Sequence, residues 1–209
     1  MESITENRQT PETLKAMIAK AFGPDRVPAG EDFAEELGHG WFNVAYKIRL
    51  RGGRDVVLKI APPPGVEVMT YEQGAMDIEL ASLALIREHT DAPVPEVLFA
   101  DTSLEVCDAP YFFMPCIDAD NIGIIEGALS PGELADYWEQ LGARNAELDA
   151  IKGTGFGPFL DPRFSTWRAA FEQRCEDVLR RLRGAASRRV GRYGSQVRSR
   201  AAATQWRVG

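Results

Sequence analysis

A carboxylate sits inside the apolar stripe of the chain's clearest helix, and few folds can accommodate it. Tyr71 to His89 reads as that helix. At about 100° per residue, Met76, Leu80 and Leu83 share one face, Ile86 lies at its margin and Leu85 points away. Glu79 falls within the stripe. A charge pressed unpaired against a sheet costs several kcal/mol. Glu79 is therefore either a solvated residue at the stripe's edge or the partner of a cation.

The natural cation lies one connection upstream. Lys59 stands in the run Val56-Val57-Leu58-Lys59-Ile60. Strand alternation puts Val57 and Lys59 on one face and Val56, Leu58 and Ile60 on the other. A lysine in so apolar a run is either a solvated edge position or points at an anion. Upstream of it, Glu36-Leu37-Gly38-His39-Gly40-Trp41-Phe42-Asn43 carries a glycine pair. Such a pair is an ordinary hairpin turn, or a loop whose N–H groups approach phosphate without a Cβ in the way. A glycine hairpin, a strand lysine and a glutamate on the following helix, in that order and spacing, make the nucleotide cradle of kinases.

The remaining chain fits an α+β arrangement. Pro11 to Phe22 reads as a short helix with Thr10 as N-cap and Gly23-Pro24 as its stop. Phe33 to Leu37, Phe42 to Leu50 and Asp55 to Ile60 read as strands, the last two joined by Arg51-Gly52-Gly53-Arg54. Ala61-Pro62-Pro63-Pro64 ends the third strand, because consecutive prolines cannot donate to a ladder. Val97 to Ala100 and Tyr111 to Ile117 read as two further strands. From Ser130-Pro131 onward the pattern is helical, over Glu133 to Ala150 and Phe164 to Arg183, with a loop over Gly153 to Pro158. Strands with one main helix, followed by helices alone, make a two-lobed protein.

Composition removes several classes of function. No stretch approaches the roughly 20 apolar residues of a membrane span. Cys107, Cys116 and Cys175 show no CxxC spacing, which argues against a zinc site or disulfide framework and fits a reducing cytoplasm. His39 and His89 are the sole histidines, so imidazole-based metal schemes have little to work with. Charge is divided unevenly: residues 1–177 hold 15 basic and 31 acidic side chains, whereas 178–209 hold nine arginines and no acid. The acidic body favours a cationic small-molecule partner. A basic tail suits nucleic acid, but residues 184–209 lack periodicity of either kind. We read them as a disordered stretch from a shifted reading frame or an artificial end, in preference to a nucleic-acid-binding arm. The coding DNA's other frames are where a continuation would be found.

Taken together, these stretches resemble the aminoglycoside phosphotransferase, or choline-kinase-like, family. The resemblance is carried by Gly38-His39-Gly40-Trp41-Phe42-Asn43-Val44-Ala45-Tyr46, Val57-Leu58-Lys59-Ile60, Glu79 with Leu83-Ala84-Leu85-Ile86, Pro93-Val94-Pro95-Glu96-Val97-Leu98 and Tyr111-Phe112-Phe113-Met114-Pro115-Cys116-Ile117. It covers roughly Phe33 to Arg183. It implies a protein-kinase-like fold with a five-stranded antiparallel N-lobe sheet over 31–118, a helical lead-in over 1–30 and a partial helical C-lobe over 119–183. It implies ATP as cofactor, contacted by Gly38, His39, Gly40, Asn43 and Lys59, with Glu79 orienting the lysine. Pro115 would offer its carbonyl, and Ile117 its N–H, to adenine. Trp41-Phe42 is bulkier than the small residues usual in this loop, and Leu148-Asp149 stands where members often carry Leu-His.

The family's catalytic loop reads His-x-Asp with a downstream Asn, and a later Asp holds magnesium. Neither histidine lies beyond residue 89, and no acid follows Asp177. A catalytic base is worth about 10²–10⁴ in rate. The expectation is an incomplete chain that binds ATP, would engage magnesium only with the missing C-lobe, and transfers no phosphoryl group. The acceptor is unreadable. Apolar faces on the later helices (Leu134, Trp138 and Leu141; Phe171, Val178 and Leu182) should be left exposed and favour self-association.

Overall fold

The computed structural model describes residues 6–38, 42–66, 68–69 and 72–184. The Arg-rich stretch beyond 184 and the loop residues His39, Gly40 and Trp41 lie outside them. Contacts divide the chain into two units, Met1–Glu67 with Gly74–Lys152, and Val68–Gln73 with Gly153–Gly209.

The first unit is built on a five-stranded sheet. Its strands are β1 (Ala34–Glu36), β2 (Val44–Arg49), β3 (Asp55–Ile60), β4 (Phe99–Asp101) and β5 (Tyr111–Pro115). They lie in the order β1-β2-β3-β5-β4, and every neighbouring pair is antiparallel. This is the α+β, five-stranded sheet that the sequence implies. The β2–β3 turn closes with Gly53 N–H donating to the Leu50 carbonyl at 3.0 Å, and it works because Gly52 and Gly53 take φ of 99° and 85°, backbone that costs glycine no Cβ clash.

Two helices flank the sheet. α1 (Pro11–Phe22) starts where Thr10 caps Thr13 N–H and stops at Gly23. Its Leu14, Met17 and Ile18 are buried in the same core as Ile48, Leu58, Ile60, Phe112 and Phe113. α2 (Ala75–His89) begins four residues later than the helical pattern suggests, because Gly74 turns left-handed at φ 68° and breaks the phase. Met76 of α2 is buried, and Leu80 and Leu83 pack on the core. Beyond the sheet, Asn121 caps a single-turn helix, α3 (Ile122–Ile125), which apolar periodicity does not reveal. α4 (Pro131–Ala150) starts two residues before Glu133, held by a reciprocal capping box between Ser130 and Glu133.

Other strand ends are shorter than their apolar runs. β5 stops at Pro115, and β4 is displaced to Phe99–Asp101. Pro95 has no N–H to give a ladder and biases the residue before it to extended backbone without pairing it.

One charged clasp ties α1 to the far edge of the sheet. Asp101, at the end of β4, is 6% exposed. Lys20 Nζ meets its carboxylate at 2.8 Å, Glu105 at 2.8 Å and Ser103 Oγ at 3.0 Å. The Lys20 ammonium, more than any other neighbour, holds Asp101 well below the ordinary carboxylate range. Burial, and then the same carboxylate, pushes the Tyr111 hydroxyl up. Because Asp101 is depressed in the folded state, its contribution to stability is complete above its unfolded value, about 3.9. That contribution is withdrawn as pH falls below that value. Urea midpoints measured from pH 6 down to pH 2.5 should therefore drop, and the drop should shrink in Asp101→Asn. An unchanged pH profile in that variant would remove the clasp from the account.

The second unit contains α5, over 167–184. Phe164 does not belong to it. Phe156 and Phe164 exchange N–H···O bonds of 2.8 and 2.9 Å in an isolated antiparallel bridge. The bridge needs Gly155, where a Cβ would lie 2.4 Å from the Pro162 carbonyl oxygen. Thr166 Oγ1 then accepts from Ala169 N–H to start the helix. Arg181 donates to the Val68 carbonyl.

Of the apolar side chains expected to be exposed on the later helices, Trp138 and Leu141 on α4 and Phe171 and Leu182 on α5 are exposed, whereas Leu134 and Val178 are half-buried. Among the described residues no helix is long and apolar enough to cross a membrane.

Candidate functional site

Lys59 and Glu79 meet. Their side chains form an ion pair between β3 and α2, 23% and 31% exposed respectively. The register explains why. Lys59 lies opposite Ala45 on β2 and Phe112 on β5, so its side chain leaves the sheet between a methyl group and a ring. Lys59 Nζ lies 5.6 Å from the centre of the Phe112 ring, a distance at which the ring's quadrupole attracts the ammonium. Phe112 is fully buried. The aliphatic stem of Lys59 thus has an apolar bed while the ammonium end stays partly solvated.

Glu79 is brought to this point by the same stripe that seats α2. Met76, one turn earlier, anchors the helix, and Leu80 and Leu83 continue the contact. The carboxylate is therefore paired and partly wet, which removes the cost of an isolated charge on an apolar face.

Asn43 joins the pair. Its Nδ2 lies 3.5 Å from Glu79 Oε2, the oxygen not engaged by Lys59. The sequence puts Asn43 near the start of a strand and the resemblance gives it the nucleotide as partner, whereas its side chain meets Glu79 and β2 begins one residue later. Gly38 lies in the turn after β1, and Leu37 N–H donates to the Ala45 carbonyl at 2.8 Å to close the hairpin base. An added Cβ at Gly38 would meet nothing within 4 Å, so packing gives no reason for a glycine there. His39 and Gly40 are outside the described residues.

The strand end beyond β5 has its own logic. Cys116 N–H donates to the Asp55 carbonyl at 3.4 Å, and Leu98 N–H donates to the Phe113 carbonyl at 2.8 Å. Backbone groups alternate sides along a strand, so the Pro115 carbonyl points the way the Phe113 carbonyl does, away from β3. β4 pairs with β5 only from Tyr111 to Phe113. Pro115 thus sits where its missing N–H interrupts no ladder bond, and its carbonyl faces an edge without a strand. Ile117 follows, 62% exposed. Among the described residues no group of three or more His, Cys, Asp or Glu is placed to hold a metal ion.

Comparison with known proteins fits this arrangement. The family model for the phosphotransferase enzyme family matches residues 34–205. The chain belongs to that family. The family match starts beside the first strand and runs past Arg183, where the sequence resemblance fades. Among curated proteins the chain is 23% identical over 134 residues to the subtelomeric hrmA-associated cluster proteins of two strains of Aspergillus fumigatus. That alignment takes in 64% of this chain and 26% of those proteins, so the chain spans about a quarter of their length.

Solved structures similar to this family member include a Ralstonia eutropha protein assigned as an aminoglycoside phosphotransferase. It is 18% identical, has a TM-score of 0.39, and the likeness covers 54% of this chain and 29% of that one. Another, from Thermobifida fusca, is assigned as a fructosamine-3-kinase; it is 21% identical with a TM-score of 0.37, over 52% of this chain and 32% of the other.

Proposed function

We propose that the sheet unit is the ATP-binding portion of a small-molecule kinase, a phosphotransferase acting between the ATP γ-phosphate and an acceptor hydroxyl. The observation that carries this reading is the Lys59–Glu79 ion pair, formed across β3 and α2 in a chain of the phosphotransferase family. The donor set fits a nucleotide. An ammonium has three donors, and Lys59 commits one to Glu79, leaving two for α- and β-phosphate oxygens. Glu79 keeps the ammonium from folding onto solvent. The family resemblance assigns phosphate contact to Gly38, His39 and Gly40, of which His39 and Gly40 lie outside the described residues. The Pro115 carbonyl suits the adenine amino group as an acceptor, and the Ile117 N–H suits a ring nitrogen as a donor. Bound ATP would supply the phosphoryl group, while these residues bind and orient it.

The one His-x-Asp of the 209 residues, His89-Thr90-Asp91, falls at the end of α2 and ahead of β5 rather than in the helical part after it, and no acid follows Asp177. On that observation we infer that this polypeptide by itself binds the nucleotide as a non-catalytic module and does not turn it over. Calorimetric titration with ATP, followed by a kinase assay across amino-sugar and alcohol acceptors, tests both parts. ATP should bind, and turnover should not exceed that of Lys59→Ala. A folded protein that ignores millimolar ATP would refute the binding reading, and turnover well above the Lys59→Ala control would refute the second.

A further inference from the structure

Asn43 stands at the end of the β1–β2 loop, one residue before β2 begins at Val44. Ala45 is directly opposite Lys59, and Asn43, two residues earlier, projects from the same face of the sheet. Its Nδ2 donates to Glu79 Oε2 at 3.5 Å while Lys59 takes Oε1. The two oxygens of one carboxylate are thus divided between an amide and an ammonium. Asn43 Oδ1 is buried and has no partner among the described residues. A buried acceptor without a donor costs free energy, and turning the amide over would not recover it, because Oδ1 would then face a carboxylate oxygen. Asn43 keeps the orientation that serves Glu79.

We propose that Asn43 is a positioning residue that sets the rotation of the Glu79 carboxylate and, through it, the aim of the Lys59 ammonium at phosphate. The proposal rests on the nucleotide reading above and deepens it. The terminal torsion of glutamate is broad and roughly two-fold, so a carboxylate held by one lysine alone can turn and take Lys59 with it. Lysine is a point charge on a flexible four-carbon stem, and its direction has to be imposed from outside. A neutral amide does this without adding charge. A cation at position 43 would compete with Lys59 for Glu79, and an anion would repel the carboxylate.

Calorimetric titration of the 209-residue chain with ATP and with adenosine separates this role from simple support of the fold. Asn43→Ala should weaken ATP about five- to tenfold, the scale of losing one ordinary hydrogen bond, as suits a contact as long as 3.5 Å. Adenosine, which lacks phosphates, should be bound as by the parent. Asn43→Asp, nearly isosteric and so tolerated by packing, should weaken ATP further by setting like charges side by side. In a Glu79→Ala background, Asn43→Ala should add nothing, since the partner it acts through is gone.

Parent-like ATP affinity in Asn43→Ala and Asn43→Asp overturns the proposal. So does an equal loss for ATP and adenosine, which would mark a structural role. An undiminished loss in the Glu79→Ala background also overturns it, since Asn43 would then touch the nucleotide itself. A parent chain that binds no ATP would sink the nucleotide reading and this proposal together, whereas ATP binding insensitive to Asn43 sinks only the latter.

Discussion

Replacing Lys59 with alanine should lower ATP affinity about 30- to 150-fold while leaving adenosine affinity within about threefold of the parent. Truncating one partner of a buried, hydrogen-bonded charge pair costs about 2–5 kcal/mol in binding. The lower part of that range applies because Lys59 and Glu79 are 23% and 31% exposed and water screens both. That leaves about 2–3 kcal/mol, at 1.36 kcal/mol per factor of ten. The difference between ATP and adenosine is the telling quantity. Lys59 lies opposite Phe112, three residues along β5 from Pro115, so a loss confined to the phosphate-bearing ligand would place the ammonium on phosphate. Lys59→Arg should recover little. The guanidinium is a planar fork that does not reproduce a compact point charge on a flexible stem, and Lys59 leaves the sheet between Ala45 and Phe112. An ATP affinity within threefold of the parent in Lys59→Ala would withdraw the lysine from the site.

The largest effect on stability is expected at Phe113. The residue is fully buried. Its ring meets Phe22 of α1 edge-on at 5.0 Å and Tyr111 edge-on at 6.1 Å. It also lies opposite Leu58 on β3 and Phe99 on β4. One side chain therefore joins α1 to three strands of the sheet. Phe113→Ala removes the transfer free energy of the ring and leaves a cavity that rigid strands cannot close, a combination worth about 3–5 kcal/mol. Chemical denaturation followed by tryptophan-independent far-ultraviolet dichroism should show the loss as a lower midpoint. Phe113→Leu should restore most of it, because the volume change is smaller. A loss below about 1 kcal/mol would mean that α1 is not packed on the sheet as described.

These two residues differ in how far the sequence announces them. Lys59 and Glu79 are legible as a pair because each breaks a local rule: a charge in a strand of apolar residues, and a charge in an apolar helical stripe. Two anomalies of opposite sign, one connection apart, resolve each other. β3 is legible to the residue, since turn glycines precede it and prolines follow it. α1 is legible for the same reason, with Thr10 at one end and Gly23 at the other.

Other features have no local signature. Gly74 reads as an unremarkable glycine, yet its left-handed backbone cuts the apparent helix from Tyr71 to Ala75. Phe164 reads as the start of a helix but is spent on the bridge to Phe156, and the helix begins at 167. Lys20, Asp101 and Glu105 are ordinary charges until the fold brings α1 against the end of β4. Asn43 reads as one residue near the start of a strand, and only the fold brings it to Glu79 on α2.

Periodicity, turn chemistry and the placement of charges in apolar runs determined the sheet, its principal helix and the pairing of a lysine with a glutamate. Each of those is encoded within a window of a few residues, where backbone preference and one-sided burial act directly. The tertiary structure alone decided which carboxylate oxygen Asn43 takes, that the Pro115 carbonyl faces an unpaired edge, and that Lys20 closes over Asp101. Those facts depend on which segments far apart in the chain are brought side by side and which are not, and no local preference specifies that meeting.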